Sequence, residues 1–224
     1  MTEARQTLPE TEIAEEDRLR ADLYDFLGLL LAAPPTQEVL IRTAGLGGDD
    51  SALGRAIQAL ARVARVTPPS AAAREFNALF IGLGRGELLP YASYYLTGFL
   101  NEKPLAQLRA DMAARGITRA PDHHEPEDNI ASLMEMMAGM ILGRFGAPAT
   151  LVDQKTFWTR HIGPWAEHFF ADLEAAPSSV LYASVGSAGK AFMEIEKTGF
   201  RMTAEPSRPA PRSPSAAPEK ETRR

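Results

Sequence analysis

Side chains capable of chemistry are most concentrated in segment 121–129, which holds two histidines, four acids and a final asparagine. Acids at the start of a helix cap backbone N–H groups and interact favourably with the helix dipole. We expect Asp122 or Glu125 to cap the helix that follows, with Glu127 and Asp128 in its first turn. The alternative is a binding surface where these carboxylates and the asparagine amide receive a cationic ligand or peptide.

A metal site would have to be built from the histidines and a neighbouring glutamate. The candidate ligands are His123, His124, Glu125, His161 and His168. Adjacent histidines rarely bind one ion together, and the chain has neither a His-Glu-x-x-His pattern nor any cysteine. We therefore predict no bound metal and no other cofactor. A small metal- or nucleotide-dependent hydrolase that uses this His/Glu cluster is the alternative function.

The glycine-rich stretch Gly82–Gly86 is the nearest approach to a nucleotide-binding loop. It follows a predicted helix instead of a strand and lacks the Gly-Lys-Ser/Thr ending, so a helix stop and turn is the better interpretation. No Gly-x-Ser-x-Gly motif occurs, and Ser93 lies in an aromatic segment. The sequence indicates no catalytic residue, and we do not expect an enzyme.

Composition limits the class of protein further. The 224 residues include 24 Lys and Arg against 29 Asp and Glu, a formal charge of −5, which argues against nucleic-acid binding. The longest apolar run, Phe26–Pro35, is about half of the ~20 residues that a membrane span needs. The first residues lack the apolar core of a secretory signal. We predict a soluble cytoplasmic protein without stable membrane insertion.

Proline and glycine divide the chain into helical pieces, and no strand alternation or hairpin signal appears, so the predicted fold class is all-α. In the first half of the chain the predicted helices cover 13–33, a stretch from a Thr36 cap to about Gly45, a stretch that begins after Asp50 or Ser51, and a stretch from a Ser70 cap through Phe80. In the second half they cover Pro104 to Gly116, Pro126 to Gly146, a stretch from Thr150 with a break at Pro164, and about 178–198. Residues 90–98 are read as an ordered, irregular connector.

Two apolar segments could fill a core or line a groove. In the long helix, Met134 and Met137 fall on the core stripe, whereas the other two methionines of 133–142 lie on another face. The aromatic ridge 157–170 is more typical of a core, with His161 satisfied by a buried carboxylate or carbonyl. A groove for a partner's helix is the alternative.

The chain divides into three parts by composition. We predict a flexible N-terminus at 1–11, one all-α domain at 12–203 and a disordered Pro/Ser/Arg tail at 204–224, because five prolines without a large apolar residue cannot build a core. A helical scaffold whose tail recruits a partner through extended segments is a third possible function.

Four stretches, in order, resemble segments of the TorD/DmsD/NarJ family of redox-enzyme maturation chaperones. They are Glu75–Phe80, Pro90–Tyr95, Glu125–Met137 and Phe157–Trp165, and the similarity runs from about residue 17 to 200. The family's Asp-His pair stands here as Asp128-Asn129, and Leu133 replaces an acid that is common at its position.

The resemblance implies a TorD-like all-α fold that binds the twin-arginine leader or the apo catalytic subunit of a molybdenum or tungsten oxidoreductase and supports cofactor insertion. An acidic body could receive paired arginines, and a methionine- or aromatic-lined groove an apolar stretch. The sequence Glu-Pro-Glu-Asp at 125–128 resembles that of the family branch associated with formate dehydrogenases. Monomer and homodimer both stay open. The predicted client-binding residues are Tyr91, Ser93, Tyr95, Glu127, Asp128, Asn129, Glu135, His161 and Trp165.

Overall fold

The computed structural model describes residues 13–119 and 125–203, so the predicted N-terminal segment and tail lie outside the described residues. The described part forms ten α-helices and no strand, which confirms the all-α class. The helices are α1 (Glu15–Ala32), α2 (Gln37–Ala44), α3 (Ala52–Val66), α4 (Pro69–Phe76), α5 (Ala92–Thr97), α6 (Lys103–Ala114), α7 (Ile130–Leu142), α8 (Leu151–Phe157), α9 (Ala166–Ala175) and α10 (Leu181–Met202). Five-residue π-helical turns, Asn77–Ile81 and Trp158–Ile162, continue α4 and α8.

Several helix starts follow local rules, and there the predictions are confirmed. The side-chain hydroxyls of Thr36, Ser51 and Thr150 accept hydrogen bonds from backbone N–H groups in the first turns of α2, α3 and α8. Each satisfies a donor that the helix itself cannot pair. Gly116 has the positive φ of 67° expected after the end of α6.

Other boundaries differ from the prediction. Ser70 does not cap α4, which begins at Pro69, a residue with no N–H to leave unpaired. The long helix α7 begins at Ile130 instead of Pro126 and ends before Gly143, whose φ of 72° stops it short of the predicted Gly146. The connector is also less irregular than predicted, because six of its residues form α5. The last helix runs from Leu181 to Met202, later than expected at both ends.

Helix α7 forms the centre of the fold. Ten of its thirteen residues are buried, including all four of its methionines, so the second methionine face is covered as well as the first. Helix α1 packs along α7 so closely that a Cβ at Gly28 would come 3.3 Å from the Ala131 carbonyl oxygen. The methionines fill the irregular space between α7 and its neighbours.

A buried ion pair joins α1 to α10. The guanidinium of Arg20 donates from Nε and Nη2 to the two carboxylate oxygens of Glu196, both at 2.8 Å. The Tyr24 hydroxyl donates to the same carboxylate at 2.9 Å, and burial raises the pKa of this tyrosine. Glu196 is almost fully buried, so removing Arg20 would leave a buried carboxylate without its counter-ion, which typically costs about 3–5 kcal/mol.

The start of α10 is capped from a distant helix. The Glu75 carboxylate in α4 accepts backbone N–H bonds from Val180, Leu181 and Tyr182 at 2.7, 3.1 and 2.7 Å. A carboxylate at a helix N-terminus satisfies unpaired donors and also interacts favourably with the helix dipole. The acid of the first family-like stretch therefore fixes where the last helix begins.

Two glycines of α10, Gly186 and Gly199, give a matched test of how closely α10 packs against α9. A Cβ at Gly186 would lie 2.6 Å from the Glu174 backbone N and 2.7 Å from the Phe170 carbonyl oxygen of α9, whereas nothing lies within 4 Å of one at Gly199. We expect Gly186→Ala to lower the free energy of unfolding by about 1–3 kcal/mol. Gly199→Ala should raise it by up to about 1 kcal/mol through helix propensity. Urea denaturation measures both, and equal stability of Gly186→Ala and wild type would contradict this close approach.

Candidate functional site

Two of the family-like stretches meet at the start of α7. The Ala92 N–H donates to the Asp128 carbonyl at 2.9 Å, and the Ile130 N–H donates to the Pro90 carbonyl at 2.8 Å. These bonds form an isolated antiparallel bridge, so the backbone before α5 is fixed against the backbone before α7. Residues far apart in sequence thereby become neighbours in one place.

Asp128 is buried beneath this bridge together with Ser93. Its Oδ2 accepts the Ser93 backbone N–H at 2.7 Å, which places the carboxylate at the start of α5. Its Oδ1 and the Ser93 Oγ are also buried, and neither has a hydrogen-bond partner among residues 13–119 and 125–203. Buried polar atoms are normally satisfied, so these two can accept a bond from a water or from a bound group.

Asn129 caps α7, a role that the sequence analysis gave to Asp122 or Glu125. Its Oδ1 accepts the Ala131 N–H at 2.9 Å, and its Nδ2 donates to the exposed Glu125 carboxylate at 3.0 Å. The Tyr91 hydroxyl donates to that carboxylate at 3.4 Å. Glu125 therefore supports the cap from outside, and Glu127 and Asp128 precede the helix instead of lying in its first turn. Asp122 lies outside the described residues.

The Glu127 carboxylate is already held by arginines. Arg109 donates to its Oε2 from Nε at 2.9 Å and lies 2.8 Å away through Nη2, and Arg119 approaches Oε1 at 3.6 Å. Burial acts to raise the pKa of Glu127, but the Arg109 hydrogen bond and both positive charges outweigh it and lower the pKa below its usual range. Glu127 is thus ionised and partnered at neutral pH.

Beside this pair lies an open cavity of about 300 Å³ between the end of α6 and the first turns of α7. Its apolar lining comes from Met112, Ile117, Met136 and Phe145, and its polar lining from Thr118, Arg119, Glu127, Ser132, Glu135 and Arg144. Glu135 is exposed and has no hydrogen-bond or ion-pair partner within the described part of the chain. The nearby Arg144 is paired with Asp25 of α1. The cavity thus presents an accessible carboxylate over an apolar floor.

The remaining predicted site residues, His161, Trp165 and Tyr95, lie in the aromatic ridge or pack against it. The Tyr95 ring lies 5.2 Å from the Trp165 ring, and its hydroxyl donates to Asp172 at 2.9 Å. The Trp165 Nε1–H donates to the His161 carbonyl at 2.7 Å. Trp165 and His161 are both buried, so at these two residues the ridge is a core element and not an open groove. Tyr95 alone reaches partly to the surface.

His161 has the carboxylate partner that its burial requires. Its Nε2 lies 2.7 Å from the Asp111 Oδ2, which Arg160 also contacts at 3.2 Å. Burial lowers the pKa of His161 and outweighs the opposing effect of Asp111, so the neutral ring with Nε2–H as donor is favoured. Burial acts to raise the pKa of Asp111, but the His161 and Arg160 hydrogen bonds lower it.

The two described histidines, His161 and His168, do not share a metal site. In residues 13–119 and 125–203, no group of three His, Asp or Glu side chains is arranged to hold a metal ion. His161 binds Asp111, and His168 is exposed on α9. His123 and His124 lie outside the described residues. No described helix is both long and apolar enough to cross a membrane.

The sequence analysis missed the charged residues that position the site. Arg109 and Asp111 lie two residues apart on α6 and bind Glu127 and His161, respectively. A buried carboxylate for His161 was expected, but nothing in the local sequence distinguishes Asp111 from other acids. Asp172, the partner of Tyr95, carried no signal at all.

The depressed pKa of His161 predicts how stability depends on pH. Below about pH 6.5 the unfolded chain binds a proton that the folded chain does not, so this group lowers the free energy of unfolding as the pH falls from about 7.5 to 5.5. His161→Gln should lose less stability over that interval than wild type, although it starts lower. Urea denaturation at several pH values measures the two slopes. Equal slopes would contradict the assigned pKa shift.

Similarity to known proteins extends over most of the chain. A family model described as the nitrate reductase delta subunit matches residues 47–171. The chaperone protein TorD of Vibrio atlanticus (strain LGP32) is 28% identical over 198 residues, covering 79% of this chain and 92% of the relative. TorD of Vibrio parahaemolyticus serotype O3:K6 is 26% identical over 206 residues, covering 83% and 96%.

A solved structure supports the fold. A crystal structure described as a redox enzyme maturation protein from Archaeoglobus fulgidus aligns with a TM-score of 0.53 and 20% identity, covering 85% of this chain and 99% of the other. At that identity the likeness concerns the fold, and it agrees with the TorD-like all-α architecture expected from the sequence.

Proposed function

This chain belongs to the nitrate reductase delta subunit family, the TorD/NarJ family, and on that premise we propose that it is a chaperone for a molybdenum or tungsten oxidoreductase. It binds the client's leader or apo catalytic subunit and supports cofactor insertion, without catalysis of its own. Such a protein acts in the cytoplasm, before the client is assembled or exported. The TorD relatives that cover most of this chain, which are named chaperones, support the assignment.

The observation that carries the proposal is the cavity beside α7. A twin-arginine leader combines paired guanidinium groups with an apolar stretch. The exposed Glu135 carboxylate can receive one guanidinium, and the apolar floor that includes Met112, Met136 and Phe145 can receive part of the apolar stretch. Guanidinium–carboxylate bonds are strong and directional, and methionine surfaces adapt to differing side chains.

The predicted site residues divide by what they can do in this arrangement. Glu135, with the accessible edges of Tyr91 and Tyr95, contacts the client. Glu127 keeps Arg109 and Arg119 beside the cavity. The buried members Ser93, Asp128, Asn129, His161 and Trp165 are positioning residues that hold the connector, the start of α7 and the aromatic ridge in place.

A formate dehydrogenase is the client that we propose within this class. The proposal rests on the Glu-Pro-Glu-Asp segment at 125–128, which resembles the branch of the family associated with those enzymes. In the structure its glutamates support the Asn129 cap and the Arg109 pair, next to the cavity. Sequence differences in this segment would therefore alter the edge of the cavity that contacts the leader peptide.

Calorimetric titration with leader peptides of the host's molybdoenzymes tests the proposal. Glu135→Gln should weaken binding about tenfold or more, since a charge-assisted hydrogen bond contributes about 1.5–3 kcal/mol. Glu16→Gln removes an exposed acid from the first turn of α1, away from the cavity, and should bind like wild type. Replacing both leader arginines by glutamine should remove most of the difference between wild type and Glu135→Gln.

Circular dichroism of each variant excludes unfolding as the cause. Equal affinity of Glu135→Gln and wild type would remove this cavity as the client site. Absence of binding by wild type to every leader and apo-subunit from its host would contradict the proposed function itself.

A further inference from the structure

A second cavity, of about 560 Å³, lies between the end of α8 with its π-helical turn and the end of α10. It is lined by Lys155, Trp158, Thr159, Gly163, Lys197, Phe200, Arg201 and Thr203. It shares no lining residue with the cavity beside α7, and the proposed function does not use it.

The charge of this cavity is opposite to that of the protein. Among the described residues, three cationic side chains and no acid line it, although the chain as a whole carries −5. Lys197 is paired with Glu167 and Glu194, at 2.9 and 3.3 Å. The other two cations, Lys155 and Arg201, have no carboxylate within ion-pair distance among residues 13–119 and 125–203.

The backbone contacts of these two cations do not replace a counter-ion. The Lys155 Nζ donates to the Thr203 carbonyl at 3.1 Å, its one hydrogen bond among residues 13–119 and 125–203. Arg201 occupies the last turn of α10, where positive charge interacts favourably with the helix dipole. That interaction is worth a fraction of a kcal/mol to about 1 kcal/mol and does not replace a counter-ion.

The aromatic side of the cavity is formed by Trp158 and Phe200. Trp158 is about nine-tenths buried and its ring lies 5.5 Å from the Phe200 ring. A Cβ at Gly163 would come 2.4 Å from the Trp158 ring, so the glycine leaves the indole its space. The Trp158 Nε1–H is buried and has no acceptor within the part of the chain that the structure describes, which is uncommon for an indole in a folded protein.

We infer that this cavity is a binding site for an oxyanion, a phosphate or carboxylate group carried by a compound with an aromatic part. Lys155 and Arg201 supply the positive charge, and the Trp158 and Phe200 rings line the apolar wall that the aromatic part would contact. Phosphate and carboxylate groups share this chemistry. The aromatic part of the compound distinguishes such ligands from inorganic anions.

The two tryptophans of the chain make the test direct. In ¹⁵N-resolved NMR of the full chain, phenyl phosphate should shift the Trp158 indole resonance saturably, with a Kd of about 1 mM or below. The Trp165 indole, bonded to the His161 carbonyl, should stay in place as an internal reference. Benzoate should act in the same way, inorganic phosphate more weakly, and phenol should have no effect. Trp158→Phe assigns the peak.

Charge-neutral variants identify the cations. Lys155→Gln and Arg201→Gln should each weaken phenyl phosphate binding about tenfold. Lys190→Gln, on the same helix as Arg201 but outside the cavity and paired with Glu174, should bind like wild type. Arg201 is exposed, so its substitution leaves the fold intact even if Lys155→Gln does not.

Several results would overturn the inference. They are no Trp158 shift at about 10 mM phenyl phosphate, equal shifts of both indoles, or equal loss of affinity in the Lys190→Gln control. Glu205 follows Thr203 by two residues in the sequence and could itself supply a carboxylate. If phenyl phosphate bound only to the full-length Glu205→Gln variant, the occupant would be the chain's own glutamate and the small-molecule site would be rejected.

Discussion

Helix α7 is apolar on nearly every side, and the other helices have to cover it. Because ten of its thirteen residues are buried, its position is fixed along its whole length by α1 and the surrounding elements. Burial of apolar surface is the main favourable contribution to folding, and a helix covered on all sides is its most concentrated source. The start of α7 is consequently a rigid point, to which the connector is attached by the bridge between Tyr91 and Asn129.

The candidate client site takes its character from this arrangement. Most of its polar groups are used inside the protein: Asp128 receives the Ser93 N–H, Asn129 caps α7, and Glu127 holds Arg109. The cavity beside them has the exposed Glu135 carboxylate at its rim and methionines on its floor. A rigid polar frame around an adaptable apolar surface suits a chaperone that recognises an unfolded or extended segment, because the charge selects the segment and the methionines tolerate variation in it.

Local rules made part of this structure predictable. The caps at Thr36, Ser51 and Thr150 and the all-α class follow from single residues and their periodicity. The start of α7 was predicted four residues too early, because Pro126 and the acids around it look like a first helical turn. Its position depends instead on hydrogen bonds to Pro90 and Glu125. The Glu75 cap of α10 and the His161–Asp111 pair likewise join residues distant in sequence, which periodicity cannot reveal.

Affinity purification of the tagged protein from its native host, with the co-purifying chains identified by mass spectrometry, tests the central claim most directly. The account predicts recovery of the catalytic subunit of a molybdenum or tungsten oxidoreductase without its cofactor, and a formate dehydrogenase subunit would fix the client. Recovery of no such subunit, while the host is producing these enzymes, would contradict the chaperone function and leave only the fold assignment.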